Sequence, residues 1–385
     1  MATRSPQAPV KLTRHERRGL MSGLNLSDGH ARHEVDDYAG VLGRLPEIFL
    51  DSQRDNLRAV ERDFELSFFD YAGQPAFSRL NPPLYNYACS LSIEVVASFL
   101  RRERMSVSLI HPTFDNLADI LRGNGVELSR YEQDWLGPLF DTDRELATDA
   151  LFIVCPNNPT GQSLTRHEFS RVVEHCALRE KLLIIDFSFR FFSTFREWDQ
   201  YEILLRAGGE FIAFEDSGKT WPTLDLKVGL TLASNDVYEE LLKVHEDLVL
   251  NVSPFTLRLL KECIDTDANL LGEGNAQQTV AKNRATLREL LAATPLTIPN
   301  IDSVISVEWV RLPQAWRTGD LCSWLASRDV HVLPGMPFYW DEPTLGESYI
   351  RVALARPAAD FTHAASEFAR FVLEYESLHP AHSAA

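Results

Sequence analysis

The sequence predicts an α/β protein, with a large domain built on a mostly parallel sheet and a smaller C-terminal α/β domain. Two observations carry that expectation. Four short runs, Val107 to Ile110, Leu151 to Val154, Leu182 to Ile185 and Phe211 to Phe214, are near-continuously apolar and alternate with amphipathic helical stretches. Strands apolar on both sides are strands covered on both faces, the situation of a parallel sheet flanked by helices. The chain of 385 residues is also long enough for a sizeable core and two domains.

Taken in order, the first ten residues and the stretch from Pro380 to Ala385 read as loose ends. Ser90-Leu91-Ser92 opens a helix whose buried side takes Ile93, Val96, Phe99 and Leu100. The first strand runs into His111-Pro112-Thr113-Phe114, and the second into Pro156-Asn157-Asn158-Pro159-Thr160-Gly161. The helix after it has a capping box, Thr165 with Glu168, then Val172, Val173 and Cys176 at helical spacing. The third strand meets Asp186-Phe187-Ser188, and the fourth Glu215-Asp216-Ser217-Gly218-Lys219. A helix from about Asn275 to Ala293 leads to a small domain that includes Ile301 to Val310 and Tyr349 to Leu354. The resulting division is an N-terminal arm over 1–44, a large domain over 45–272, a small domain over 273–378 and a tail over 379–385. Ligands of open α/β sheets bind outside the carboxyl ends of strands, so four polar strand ends point at one crevice.

The net charge of −17 argues against a nucleic-acid or anionic-membrane binder. Five scattered cysteines form neither a CxxC pair nor a metal spacing, so reduced thiols of a cytoplasmic protein and no metal are expected. The N-terminus has charges but no apolar core of a signal peptide, and no apolar run approaches the roughly 20 residues that span a bilayer.

Each polar strand end has an ordinary explanation when taken alone. Asn-Pro-Thr-Gly is commonly a turn, a lone aspartate a helix cap, and a lone lysine solvated surface. Their order is more informative. Asn158-Pro-Thr-Gly, then Asp186, Lys219, Lys227 and Arg351 resembles the fold type I pyridoxal-phosphate enzymes, the class I/II aminotransferase family, over nearly the whole chain. The resemblance implies a pyridoxal 5'-phosphate cofactor held by Lys219 as an imine, since an amine condenses with an aldehyde and later serves as a base near Cα. Asp186 then faces the pyridine nitrogen and keeps it protonated, making the ring an electron sink. Asn158 resembles the donor to the ring oxygen and Phe114 the aromatic stacked on the ring. Ser90, Leu91 and Ser92, at a helix N-terminus, match the phosphate site. Lys227 stands where a phosphate-binding arginine is common, Ser217 joins the cofactor residues, and Arg351 resembles the arginine that grips the substrate α-carboxylate bidentately.

Departures narrow the resemblance. The tyrosine usual three residues after the aspartate is Phe189 here, with Ser188 as replacement donor to the ring oxygen, and the usual phosphate serine is Asp216. The segments Asn25-Leu-Ser-Asp28-Gly-His30-Ala-Arg, His111-Pro-Thr-Phe-Asp-Asn, Arg122-Gly-Asn-Gly and Glu215 through Lys227 are similar to the oxygen-dependent L-arginine oxidases, which include hydroxylases and desaturases. That likeness implies a homodimer whose N-terminal helix closes over L-arginine, with Thr13, Glu16, Asp28 and His30 in the lid. Glu16, Asp28 and Asp216 would be acidic partners of the guanidinium, a planar cation that pairs well with carboxylates. His30 would accept a proton at the far end of the substrate. Competing explanations exist: Thr13 and Glu16 fit a capping box, Asp28-Gly29 a turn, and His30 a surface histidine.

The implied reaction is oxidation of L-arginine by dioxygen without metal or flavin, giving 4-hydroxy-2-oxoarginine, 2-oxoarginine or a dehydroarginine. Two alternatives stand beside it: a conventional aminotransferase for arginine or a related basic amino acid, and a non-catalytic regulator that senses the cofactor. The roughly forty residues before the core are too few for the DNA-binding domain such regulators carry.

Overall fold

The four apolar runs become neighbouring strands of one seven-stranded sheet in the computed structural model, which describes the chain apart from residues 1–9, 33, 138–139, 142, 144, 194–195, 224, 270–275 and 381–385. A short N-terminal strand, β1 (Leu24–Asn25), lies outside that sheet. The sheet is built from β2 (Leu84–Asn86), β3 (Val107–His111), β4 (Leu128–Glu132), β5 (Ala150–Val154), β6 (Leu182–Asp186), β7 (Phe211–Asp216) and β8 (Gly229–Ala233), in the order β2-β8-β7-β6-β5-β3-β4. Pairs among β4, β3, β5, β6 and β7 are parallel, and β8 joins β7 and β2 antiparallel. All residues of β3, β5, β6 and β7 are buried, which is why these strands read as unbroken apolar runs. The chain proceeds outward from β3 to β4 on one side and from β5 to β7 on the other. The crevice between the ends of β3 and β5 is therefore a topological switch point.

Helices bury their apolar stripes against strands and against one another. They are α1 (Leu12–Leu20), α2 (Ala39–Gly43), α3 (Leu45–Arg54), α4 (Leu57–Tyr71), α5 (Cys89–Arg102), α6 (Asp115–Gly123), α7 (Arg166–Leu178), α8 (Gln200–Ala207), α9 (Asn235–Glu246), α10 (Pro254–Asn269), α11 (Ala276–Leu291), α12 (Thr318–Ala326) and α13 (Ala358–Leu378). The capping box of α7 is present, Glu168 N–H donating to Thr165 Oγ1 while the Glu168 carboxylate accepts from Thr165 N–H at 2.8 Å. Gly161 ends the Asn-Pro-Thr-Gly turn at φ +69, where a side chain would also collide with Ser303.

A second apolar core gathers α11, α12 and α13 on an antiparallel sheet of β9 (Val307–Arg311), β12 (Tyr349–Ala353) and β11 (Leu333–Pro334). Within residues 301–310 of the small domain the strand starts at Val307. Asn300 Oδ1 accepts from Asp302 N–H and turns the chain there, leaving Ile301 exposed. The N-terminal arm belongs to this part of the molecule. β1 pairs parallel with β10 (Val330–His331), and Leu26 and Arg32 continue the backbone bonds to His331 and Ala355. The loose ends expected at both termini fall almost wholly outside the described residues. No helix among the described residues is long and apolar enough to cross a membrane.

Candidate active site

A cavity of about 230 Å³ opens at the switch point, lined by residues from both cores and from the N-terminal arm. Of the residues singled out by sequence, Thr13, Glu16, His30, Ser90, Phe114, Asn158, Asp186, Ser188, Asp216, Lys219, Lys227 and Arg351 all line it. They come from separate strand ends and loops up to 338 positions apart (13 to 351), and packing alone unites them.

Lys219 follows β7, and among the described residues no other side chain hydrogen-bonds its amine. Gly218 before it has no room for a side chain: a Cβ would lie 2.8 Å from Lys227 Cδ and 3.2 Å from Asp216 Oδ1. Asp186 ends β6, 6% exposed, with Oδ1 accepting from the Ser188 N–H (2.8 Å) and hydroxyl. Burial pushes its carboxyl up to about 6, opposed by the two bonds from Ser188. A buried carboxylate with donors on one oxygen and no fixed cation bonded to it suits a protonated heterocyclic nitrogen.

The cost of keeping Asp186 ready is measurable. Its folded value lies above the ordinary 3.8, so the linked stability is full below about pH 4 and is lost as pH rises through about 6. Cofactor-free Asp186→Asn should therefore be more stable than cofactor-free wild type at pH 8, by up to about 3 kcal/mol, and nearly equal at pH 4. Denaturant unfolding at both pH values checks this. A wild type that is the more stable at pH 8 would mean that the protein already supplies Asp186 with a cation.

At the other end, Arg351 rises from β12 and is 1% exposed. Its Nη1 donates to Asn158 Oδ1 (3.2 Å), its Nη2 to Ser27 O (2.6 Å) and Glu16 Oε1 (3.2 Å), and its Nε is buried without a partner. The bond to Oδ1 leaves the Asn158 amide nitrogen as a donor toward the cavity. Gly29 lies between the two ends: a Cβ there would stand 3.7 Å from Arg351 Nη2 and 4.0 Å from Lys219 Nζ. The glycine thus keeps open the space between the Lys219 amine and the Arg351 guanidinium. Phe114 forms one wall and packs edge-on against Phe338. Cys89 lines the floor, where burial pushes its thiol well up and keeps it neutral.

The arm segment reaches the site in an arrangement different from the one expected. Asp28 does not line the cavity; it is 1% exposed, and its Oδ1 is 2.6 Å from His30 Nδ1. Burial opposes its ionisation, yet the hydrogen bonds from the His30 ring and backbone N–H, with Arg356 3.6 Å away, hold the carboxyl well below the usual range. Asp28 therefore orients His30 instead of waiting for a guanidinium. The other ring nitrogen of His30, Nε2, lies 2.6 Å from Lys227 Nζ, so with Lys227 charged the imidazole is neutral and protonated on Nδ1.

The competing capping box of Thr13 and Glu16 is absent: α1 begins at Leu12, whose N–H is taken by Asp115 Oδ2 at 2.8 Å, which leaves Glu16 to reach Arg351. Other expectations are corrected. Ser188 gives its hydroxyl to Asp186 Oδ1. Ser217 is wholly buried with Oγ accepting from Val228 N–H, and Ser92 is buried with Oγ accepting from Asn86, so neither lines the cavity, nor does Leu91. Of Ser90, Leu91 and Ser92, Ser90 lines it.

Sequence reasoning missed Arg356. Its guanidinium donates to the carbonyls of Asn25 (3.2 Å), Asp28 (2.5 Å) and His30 (2.9 Å), and so shapes the turn that presents Gly29 and His30. A lone arginine before Pro357 carries no local signal of such a role.

Among solved structures, the chain is similar to MppP soaked with the product 2-ketoarginine: 32% identical, TM-score 0.83, covering 91% of this chain and 99% of that one. LysN, an α-aminoadipate aminotransferase from Thermus thermophilus, is 15% identical with TM-score 0.76 over 96% of each chain, a likeness of fold. Histidinol-phosphate aminotransferase of Parabacteroides distasonis is 23% identical over 210 residues, 53% of this chain. The chain spans 57% of that curated relative's length. The aminotransferase class I and II family matches residues 87–368, and the chain belongs to that family, whose cofactor is pyridoxal 5'-phosphate.

Proposed function

We propose that this protein oxidises L-arginine with dioxygen, using pyridoxal 5'-phosphate and neither metal nor flavin. The observation that carries the reading is the likeness to MppP over nearly the full length of both chains, that protein having been soaked with 2-ketoarginine as its product. The cavity's chemistry supports it. Arg351 offers a free Nε for an α-carboxylate, and Glu16 and Asp216 supply negative charge for a cationic side chain.

When bound, the cofactor supplies an aldehyde for the amine and an electron sink for the Cα bond. Lys219 would hold the group through its amine and take the proton from the substrate Cα. Asp186 would keep a proton on the ring nitrogen, Asn158 would donate to the ring oxygen, and Phe114 would wall the ring. Ser90 and Lys227 would hold the phosphate. His30, oriented by Asp28, accepts a proton from water at the far end of the substrate after Lys227 leaves Nε2. Overall, L-arginine, dioxygen and water give 2-oxoarginine, ammonia and hydrogen peroxide. A second dioxygen and water give the 4-hydroxy product and a second peroxide.

The protein is further assigned as a homodimer. Tyr87 (57% exposed) and Leu250 (97% exposed) support this, on loops joined by the Tyr87 hydroxyl to Asn251 O beside the cavity residue Ala88.

Oxygen uptake with L-arginine and no keto acid, with product masses recorded, tests the proposal. Uptake is expected for arginine and at least about ten-fold less for lysine, whose ammonium cannot make paired bonds. His30→Ala should still consume oxygen but shift product from hydroxylated toward plain 2-oxoarginine. The aminotransferase relatives favour one other reading, transamination. Turnover that requires a keto acid and consumes no oxygen would establish it.

A further inference from the structure

We infer that Glu16 selects the substrate by exchanging ion pairs: it holds Arg351 in the empty site, yields it to an incoming α-carboxylate, and then needs a distal cation in return. The inference rests on the reading of the cavity as an amino-acid site whose carboxylate goes to Arg351.

The hydrogen-bond inventory of Arg351 leads to this exchange. A carboxylate docks on a guanidinium through two adjacent N–H groups. Nη1 is committed to Asn158, which leaves the edge formed by Nε and Nη2. Nε is unpartnered and buried, as a docking position would be. Nη2, however, already serves Ser27 O at 2.6 Å and Glu16 Oε1 at 3.2 Å. Of these two, Ser27 cannot withdraw: it is wholly buried, and its N–H and hydroxyl are both tied to Asn25 Oδ1. Glu16 can. It sits at the end of a side chain on α1, 18% exposed, and the bond to Arg351 is its longest-range tie. An arriving carboxylate would also stand against Glu16 on the same cation, and like charges in a half-buried site repel strongly.

Displacement leaves Glu16 charged, facing the cavity and partly desolvated. A substrate with a cationic end restores an ion pair with the same carboxylate. A neutral side chain of equal length restores nothing, and an acidic one adds repulsion. Glu16 therefore contributes to discrimination twice, by opposing every carboxylate and by rewarding only the cationic substrates.

The test uses the full chain loaded with cofactor, comparing wild type with Glu16→Gln and Glu16→Ala on L-arginine and L-norleucine, by calorimetric Kd and by kcat/KM. The expected result is opposite in sign for the two ligands. Removing the charge weakens arginine about ten-fold or more and tightens norleucine several-fold, since the latch no longer competes. Trypsin gives a readout independent of turnover. Saturating norleucine should speed cleavage of wild type at Arg14, Arg17 and Arg18 of α1, because the helix loses its tie to Arg351, whereas arginine should not. Losses of equal size for both ligands, or norleucine binding unchanged in both variants, would overturn the exchange and leave Glu16 a packing residue. If arginine is no ligand of wild type, the broader functional reading fails. The norleucine gain then still decides the exchange by itself.

Discussion

Lys219→Ala loses turnover by on the order of 10⁴-fold, the upper end of what one positioned base contributes, and loses the visible imine band with it. The prediction follows from placement. The amine ends a loop that leaves β7 beside Asp186 on β6, in the cavity that Arg351 also lines, and no side chain among the described residues hydrogen-bonds it. An amine engaged in a structural ion pair would be a poor nucleophile; this one is left available. Borohydride reduction of the loaded protein should fix the cofactor to the peptide containing Lys219, read by mass. The fold should survive the change, because Lys219 is partly exposed to the cavity and supports no packing layer. Label on another lysine, or turnover surviving in Lys219→Ala, would remove the residue from the centre of the chemistry.

Arg190→Leu costs about 3–5 kcal/mol of stability, the largest structural loss expected of a single change outside the cavity. Arg190 and Glu215 are both wholly buried, joined by Nε to both carboxylate oxygens at 3.0 Å and by Nη2 to Oε1 at 2.7 Å. Tyr201 adds its hydroxyl to Oε1 at 2.8 Å, and the guanidinium lies over the Phe187 ring. Burial pushes the Glu215 carboxyl above its usual range, and the charge and bonds of Arg190, with the Tyr201 hydroxyl, oppose it. Removing the arginine strands that carboxylate without solvent or counter-charge, held only by the Tyr201 hydroxyl. The double change Arg190→Leu with Glu215→Leu should recover part of the loss, because no charge is then left alone. Denaturant unfolding of all three variants measures the coupling. An Arg190→Leu cost below about 1 kcal/mol would show that solvent already reaches the pair. The pair also joins the loop after β6, which carries Ser188, to the end of β7, which carries Asp216, so the imine band should weaken along with stability.

Much of the fold and of the cofactor end of the site was legible along the chain. Unbroken apolar runs announced the parallel strands, because a strand covered on both faces has no polar side to show. Asn158, Asp186 and Lys219 were legible only together: each alone could pass for a turn, a cap or solvated surface, and their order after successive strands, resembling the family's, singled them out. Glycine spacing added to this, since Gly218 must be small for Lys227 to pack across it.

The arm and the substrate end were decided only by the tertiary structure. Thr13 with Glu16 spells a capping box as well as a pair of ligands, and the choice fell to Asp115, 103 residues from the helix N-terminus that it caps. Asp28 reads as a free acid until Arg356, 328 residues away, and His30 are seen to enclose it. The physical reason is the range of the forces involved. Periodicity, capping and turn chemistry act over a few residues and leave their mark in local sequence. The partner of a buried charge is set by which surfaces the two cores bring together, and residues hundreds of positions apart carry no sign of each other until the chain has closed.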